Sequence, residues 1–176
     1  MINPGDGDDY IEAGDGDDTV NMGNGNKHIE AGAGDDTVSV GKGASVVYGG
    51  TGNDVLTGGG GNTLYGEEGN DILTAEGSFS RDILIGGLGN DIYYTNNYAS
   101  STIVYNLGDG SDVISAKRNK GAVVYEDILR FGKGISLEDL RLEKQGNNLW
   151  IQVGVDVNDT IAASHGERNA RASRPG

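Results

Sequence analysis

The chain has 176 residues, of which 32 are glycine and only 35% are hydrophobic, and its formal net charge is −14. Such a chain cannot bury a thick core, so it must fold as something thin or repetitive, or stay disordered until a ligand orders it. The charge speaks against nucleic acid as a partner, and the absence of cysteine excludes disulfides and thiolate metal sites.

The charge is unevenly spread. Residues 1–115 hold 19 Asp and Glu against Lys27, Lys42 and Arg81, whereas residues 116–176 hold 8 acidic and 10 basic side chains. The first stretch repels phosphates and attracts cations, and the change near residue 115 marks a module boundary. No apolar run approaches the ~18 residues of a membrane-spanning helix, and no charged-then-apolar leader opens the chain. Any export signal is therefore expected to lie elsewhere or to have been removed.

From residue 4 the sequence repeats every nine residues: PGDGDDYIE, AGDGDDTVN, MGNGNKHIE, AGAGDDTVS, VGKGASVVY and GGTGNDVLT run to residue 57. GGGGNTLY (58–65), one residue short, GEEGNDILT (66–74), AEGSFSRDILI (75–85), two residues longer, and GGLGNDIYY (86–94) continue the series. A later copy, LGDGSDVIS, covers 107–115 after a twelve-residue insertion. Each copy divides into a glycine turn and a β-favouring triplet. The triplet's middle residue is apolar in Ile11, Val20, Ile29, Val38, Val47, Leu56, Leu64, Leu73 and Leu84, with Tyr93 in the last. Alternation around that residue predicts a strand with one buried face.

These repeats resemble the RTX family of glycine- and aspartate-rich nonapeptides, consensus GGxGxDxUx with U large and apolar. The resemblance covers residues 4–94 and implies an all-β fold, a right-handed parallel β-roll in which two nonapeptides form one coil. Alternate turns then fall on opposite edges. Sorted this way, the sixth position gives Asp18, Asp36, Asp54, Asp71 and Asp91 on one edge. The other edge receives Asp9, Lys27, Ser45, a deletion between Asn62 and Thr63, and Asp82 after a lengthened loop. Carboxylates stacked about 4.8 Å apart repel one another unless cations lie between them. Calcium, which takes six to eight oxygen ligands in flexible geometry, fits better than magnesium.

In the RTX family each calcium lies between two stacked turns, held by second- and fourth-position carbonyls and the Asp of one, and first- and third-position carbonyls and the Asp of the next. The resemblance thus implies about four ions on one edge. The first site would use Gly14, Gly16 and Asp18 with Ala31, Ala33 and Asp36. The second would use Gly32, Gly34 and Asp36 with Gly49, Thr51 and Asp54, and the third Gly50, Gly52 and Asp54 with Gly66, Glu68 and Asp71. The fourth would use Glu67, Gly69 and Asp71 with Gly86, Leu88 and Asp91, and it departs from consensus at Glu67. A fifth interval, Asp91 to Asp112, is left open by the insertion. Lys27 either stands in for the missing cation beside Asp9 or is a solvated lysine on a degenerate turn.

Beyond the repeats, Leu140/Leu142 and Leu149/Ile151/Val153 alternate on either side of KQGNN, predicting a β-hairpin. Ser136 to Asp139 can cap a short helical turn. Together with YNLGDGSDVIS the stretch resembles the haemolysin-type calcium-binding-related region that often follows RTX repeats. The expected division is a roll over 1–115, a β-rich capping region over 116–160 that covers the roll's open end with Phe131 and Trp150, and a disordered tail or remnant over 161–176. That tail does not resemble an RTX secretion signal, so the chain reads as part of a longer parent.

Functionally, the sequence predicts a calcium-dependent module without catalysis of its own: His28 and His165 are isolated, and no nucleophile, zinc or phosphate-cradling motif occurs. The resemblance implies a protein secreted from bacteria by a type I apparatus and folding on external calcium. The second reading is an accessory polysaccharide-binding module of a secreted carbohydrate-modifying enzyme. Tyr48, Tyr65, Ile83, Ile85, Ile92 and Tyr94 occupy outward positions and are expected to pack against the cap, a partner or a second copy.

Overall fold

The alternating triplets become strands, and the glycine turns become the corners between them. The structure, a computed structural model, describes residues 1–77, 81–96, 100–117, 126–146, 148–153 and 160–165. The described residues form two sheets, with strands numbered in chain order. One sheet (A) runs β1 (Ile2–Gly5), β3 (Thr19–Met22), β5 (Thr37–Val40), β7 (Val55–Gly58), β9 (Ile72–Ala75), β11 (Ile92–Asn96) and β13 (Ser111–Lys117). The other (B) runs β2 (Asp9–Asp15), β4 (Lys27–Ala33), β6 (Val46–Thr51), β8 (Thr63–Glu68), β10 (Ile83–Leu88), β12 (Thr102–Tyr105) and β14 (Ile128–Phe131). The chain alternates between sheets strand by strand, and every pairing in these two runs is parallel. This is the expected parallel β-solenoid.

Between the sheets lies a one-residue-thick core. Val20, Ile29, Val38, Val47, Leu56, Leu64, Leu73, Leu84 and Tyr93 are buried essentially completely, each the middle residue of its repeat's triplet. Ile11, at the end of the stack, is only partly buried. A second inward position, unread in the sequence, is the first residue of the following repeat: Met22, Ala31, Val40 and Ala75 are buried there too. Strand alternation explains it, since residues two apart face the same side.

The segment expected as an insertion before residue 107 contains β12, which continues sheet B, with Ile103 and Tyr105 buried. The coil therefore runs on past the contiguous repeats, and β14 adds another strand beyond β12. The predicted hairpin forms from β15 (Leu140–Gln145) and β16 (Asn148–Val153). Before it, the Ser136 N–H donates to Asp139 Oδ2 at 2.7 Å, capping a short 3-10 turn over Leu137–Asp139.

The hairpin reaches sheet A through β17 (Thr160–His165), antiparallel to β16 and parallel to β13. Residues 161–165, expected to open a disordered tail, are thus strand, with Ile161 and Ala162 buried. The rest of that tail lies outside the described residues. Phe131 packs against the core and meets Tyr105 edge-on at 6.4 Å. Trp150 does not join it: Ile151 and Val153 take the inward positions of β16, which turns Trp150 to the opposite face. Because β17 joins sheet A edge to edge, the hairpin extends that sheet and is not laid over either outer face.

Candidate metal centre

At each corner the chain reverses within a few residues, and the glycines are there because the backbone demands them. Gly32 has φ +116° and Gly50 φ +111°, conformations that side chains rarely adopt. A Cβ on Gly50 would also collide with the Gly32 carbonyl of the preceding coil. Second- and fourth-position carbonyls thus point along the stack at the next turn. Glu67 breaks the pattern, holding a side chain at φ +81°.

These turns bring the sixth-position residues into register. The Asp18 N–H donates to Asp36 Oδ1 at 2.7 Å, Asp36 to Asp54 Oδ1 at 2.8 Å, and Asp54 to Asp71 Oδ1 at 2.8 Å. The Asp71 N–H donates to Asp91 Oδ1 at 2.8 Å and that of Asp91 to Asp112 Oδ1 at 3.0 Å. Coil length varies from 17 to 21 residues along this column, yet the carboxylates stay stacked. Asp112, separated in sequence by the insertion, is therefore the next rung.

One oxygen of each carboxylate is accounted for by those bonds. The other is not: Oδ2 of Asp36, Asp54, Asp71 and Asp91 is buried with no hydrogen-bond donor among the described residues. Unpaired buried polar atoms are rare and costly, and an unpaired charge is costlier still. These oxygens also converge on other acceptors. A Cβ placed at Gly49 would collide with both Asp54 Oδ2 and the Gly66 carbonyl, and one at Gly66 with Asp71 Oδ2 and the Gly86 carbonyl. Oxygens gathered around one point, with no hydrogen between them, fit a hard cation.

Burial, the largest influence, pushes the carboxyls of Asp54 and Asp71 up to about 6 and that of Asp91 up to about 8, against the hydrogen bonds from the preceding coil that pull them down. Asp36 is raised for the same reason. Neighbouring carboxylates add repulsion at Asp36, Asp54 and Asp91. Without a cation, the column resists ionisation.

Among the described residues, no three His, Cys, Asp or Glu side chains gather into a metal-binding cluster. Each interval offers two carboxylates, so further ligands must be backbone carbonyls. The third-position carbonyls of Ala33, Thr51, Glu68 and Leu88 each already accept an N–H, from Gly16 at 2.6 Å and from Gly34, Gly52 and Gly69 at 2.9 Å. A carbonyl oxygen has a second lone pair, so this leaves one acceptor position on each. At the Asp91–Asp112 interval the Tyr93 hydroxyl enters, accepting from the Gly86 N–H at 2.9 Å and donating to Asp112 Oδ2 at 3.3 Å.

The other edge stacks Asp9, Lys27, Ser45, Asn62, Asp82, Ser101 and Asp127. The Ser45 N–H donates to Asn62 Oδ1 at 3.1 Å and the Asn62 N–H to Asp82 Oδ1 at 2.8 Å. The Ser101 N–H donates to Asp127 Oδ1 at 2.9 Å. Asn62 is thus a true sixth-position residue, and the deletion read after it falls within the preceding glycine turn. Lys27 is not solvated: its side chain is 0% exposed and its ammonium lies 2.8 Å from Asp9 Oδ2.

The outward residues of sheet B include a ladder of rings. Tyr10 stacks on His28 at 5.1 Å, His28 tilts against Tyr48 at 5.6 Å, and Tyr48 stacks on Tyr65 at 4.9 Å. Ile85 follows Tyr65 in the same outward column, and Ile83 is 39% exposed beside it. On sheet A, Ile92 and Tyr94 remain half-buried.

A family model described as the RTX calcium-binding nonapeptide repeat matches four times, over residues 5–26, 30–63, 62–77 and 74–97. No curated protein matches the chain. A solved structure similar to it is the extracellular lipase LipA from Serratia marcescens, at 16% identity and a TM-score of 0.43, covering 85% of this chain and 36% of the lipase. The chain accordingly spans about a third of that lipase's length. The family model covers half of the chain with four consecutive matches, and the chain belongs to the RTX calcium-binding nonapeptide repeat family.

Proposed function

We propose that this chain is a calcium-operated folding module of a secreted bacterial protein, with calcium held between successive turns of the aspartate column. The four buried Oδ2 atoms of Asp36, Asp54, Asp71 and Asp91 carry this reading, because a divalent cation is the partner their surroundings best fit. The ions lie at the Asp18–Asp36, Asp36–Asp54, Asp54–Asp71 and Asp71–Asp91 intervals. Each takes two carboxylates and carbonyls from the facing turns, with the ligand sets expected from the sequence. At the Asp91–Asp112 interval the Tyr93 hydroxyl supplies a hydrogen to Asp112 Oδ2, which weighs against a fifth ion there, although Asp91 Oδ2 is left without a donor among the described residues.

Without calcium, the fold must order a glycine-rich backbone at about 1–2 kcal/mol per residue, against a core one side chain thick. Binding and folding are then one equilibrium. Extracellular calcium modules bind at about 10⁻⁴–10⁻³ M, concentrations that would leave the module unfolded inside a cell and folded outside it. Export as a loose chain fits that difference, and the family resemblance implies a type I apparatus acting on the parent protein. The repeats serve as a scaffold and do no chemistry; the roll over 1–115 and the capping region from 116 are kept, and the capping region extends to His165 because β17 belongs to it. A polysaccharide-binding role gains no support from the Tyr48–Tyr65 pair, whose facing ring surfaces are occupied by each other.

Equilibrium dialysis of the chain against saturating radioactive calcium, with bound ions counted per chain, tests the assignment. Four retained ions are expected; none would overturn the reading, and five would place an ion at Asp91–Asp112.

A further inference from the structure

On the calcium-type edge the sixth residue is an acceptor, and the carbonyls around it need a cation. On the opposite edge the sixth residues Lys27, Ser45 and Asn62 are hydrogen-bond donors, and each is buried. Each reaches back to a carbonyl of the preceding turn on its own edge. The Lys27 ammonium donates to the carbonyls of Gly7, Gly5 (3.3 Å) and Asn24 (3.3 Å). Ser45 Oγ donates to the Gly25 carbonyl at 3.1 Å, and Asn62 Nδ2 to the Gly41 carbonyl at 3.0 Å. Three unlike side chains perform one task at three successive rungs.

The Lys27 contacts are the most informative. Gly5 and Gly7 are the second and fourth residues of their turn, Asp9 is its sixth, and Asn24 is the third residue of the next turn. Those are the positions assigned to calcium on the first edge. We propose that the Asp9–Lys27 interval is a calcium-type oxygen cage filled by the chain's own ammonium, and that Ser45 and Asn62 extend this metal-free arrangement along the second edge. That edge is then not a decayed calcium ladder. It needs no metal, and its register holds at calcium concentrations too low to load the first edge fully. An ammonium at three carbonyls and a carboxylate is fully coordinated, which a lone surface lysine would not be.

This inference rests on the calcium reading of the first edge, and its test separates the two. Calcium stoichiometry is compared by native mass spectrometry in the full chain and in Lys27→Asp, Lys27→Met and Ser45→Ala. Lys27→Asp restores a second carboxylate to the cage and is expected to hold one ion more than the parent. Lys27→Met and Ser45→Ala are expected to hold the parent's number while needing about twofold more calcium to fold, as linkage gives for a modest destabilisation spread over several ions. A folded Lys27→Asp with an unchanged count, or a Lys27→Met with an unchanged folding midpoint, would overturn the proposal. Should Lys27→Asp fail to fold, the parent decides the question by proton-detected ¹⁵N spectroscopy of its lysine side chains. A slowly exchanging Lys27 ammonium signal is expected in the calcium-loaded chain, and a fast-exchanging one contradicts the cage. A parent that is folded yet binds no calcium defeats the ladder reading alone, because the Lys27 ammonium signal of that folded chain still judges the cage.

Discussion

Along the corners that lead into sheet A, the sixth side chains are Asp18, Asp36, Asp54, Asp71, Asp91 and Asp112. Along those that lead into sheet B they include Asp9, Lys27, Ser45 and Asn62. Both edges stack glycine turns at strand spacing, and both direct turn carbonyls at the following coil. The first leaves four carboxylate oxygens buried without a donor among the described residues, while the second brings ammonium, hydroxyl and amide hydrogens to its carbonyls. The same backbone can therefore be closed by an imported cation or by hydrogens covalently attached to it. Only the first way makes folding conditional on the surroundings.

The largest effect that separates the edges is expected from the calcium column. Asp54→Asn keeps an acceptor for the Asp36 N–H but removes a charge bordering two intervals. It should lose two ions and about 3 kcal/mol or more of calcium-dependent stability, at about 1.5–3 kcal/mol for each charged contact. Ser45→Ala should cost about 1–2 kcal/mol through lost hydrogen bonds and leave the ion count unchanged. Ion counting together with thermal denaturation at saturating calcium distinguishes the two, and equal ion loss in both variants would erase the comparison.

Acidity should act next, and through the first edge. The folded, metal-free chain holds Asp54, Asp71 and Asp91 above the ordinary carboxyl value of 3.8. Between about pH 4 and pH 8 it binds more protons than the unfolded chain, so its stability falls as pH rises through that window. Ellipticity in chelator should accordingly become more β-like on acidification from about pH 8 to about pH 5. Calcium requires the ionised carboxylates, so its affinity should weaken over the same interval. Calcium binding that is flat across it would place the ions away from these residues.

A smaller gain is expected at Glu67. Its φ of +81° lies where a side chain costs roughly 1–2 kcal/mol, so Glu67→Gly should stabilise the calcium-loaded chain by about 1 kcal/mol in thermal melts. A loss of stability instead would mean that the Glu67 side chain makes a contact outweighing the strain.

Much of this was legible in the sequence because a strict period carries its own geometry. Nine residues per turn-and-strand sort the apolar eighth positions into the core and the sixth positions onto two edges. The rest depended on residues that do not announce their place. Thr102–Tyr105 has alternation but no glycine turn before it, so β12 read as an insertion. Asn62 lay beside a one-residue deletion, and only the pairing of Thr63 with Val46 and Ile83 shows the deletion absorbed within the turn. The Ala-rich β17 has weak strand propensity and gains its structure from pairing with β13 and β16. Trp150 is large and apolar, but its parity on β16 sends it outward. Composition could not say whether Lys27 was solvated, because that depends on three carbonyls brought to it by stacking.

The account stands most directly on whether the fold waits for calcium. Far-UV circular dichroism during a calcium titration from metal-free buffer at about neutral pH, with magnesium as the control, measures this. A cooperative coil-to-β transition near millimolar calcium, absent with magnesium, is the predicted result. A chain already showing its full β signal in chelator would contradict it and make the roll a constitutive scaffold.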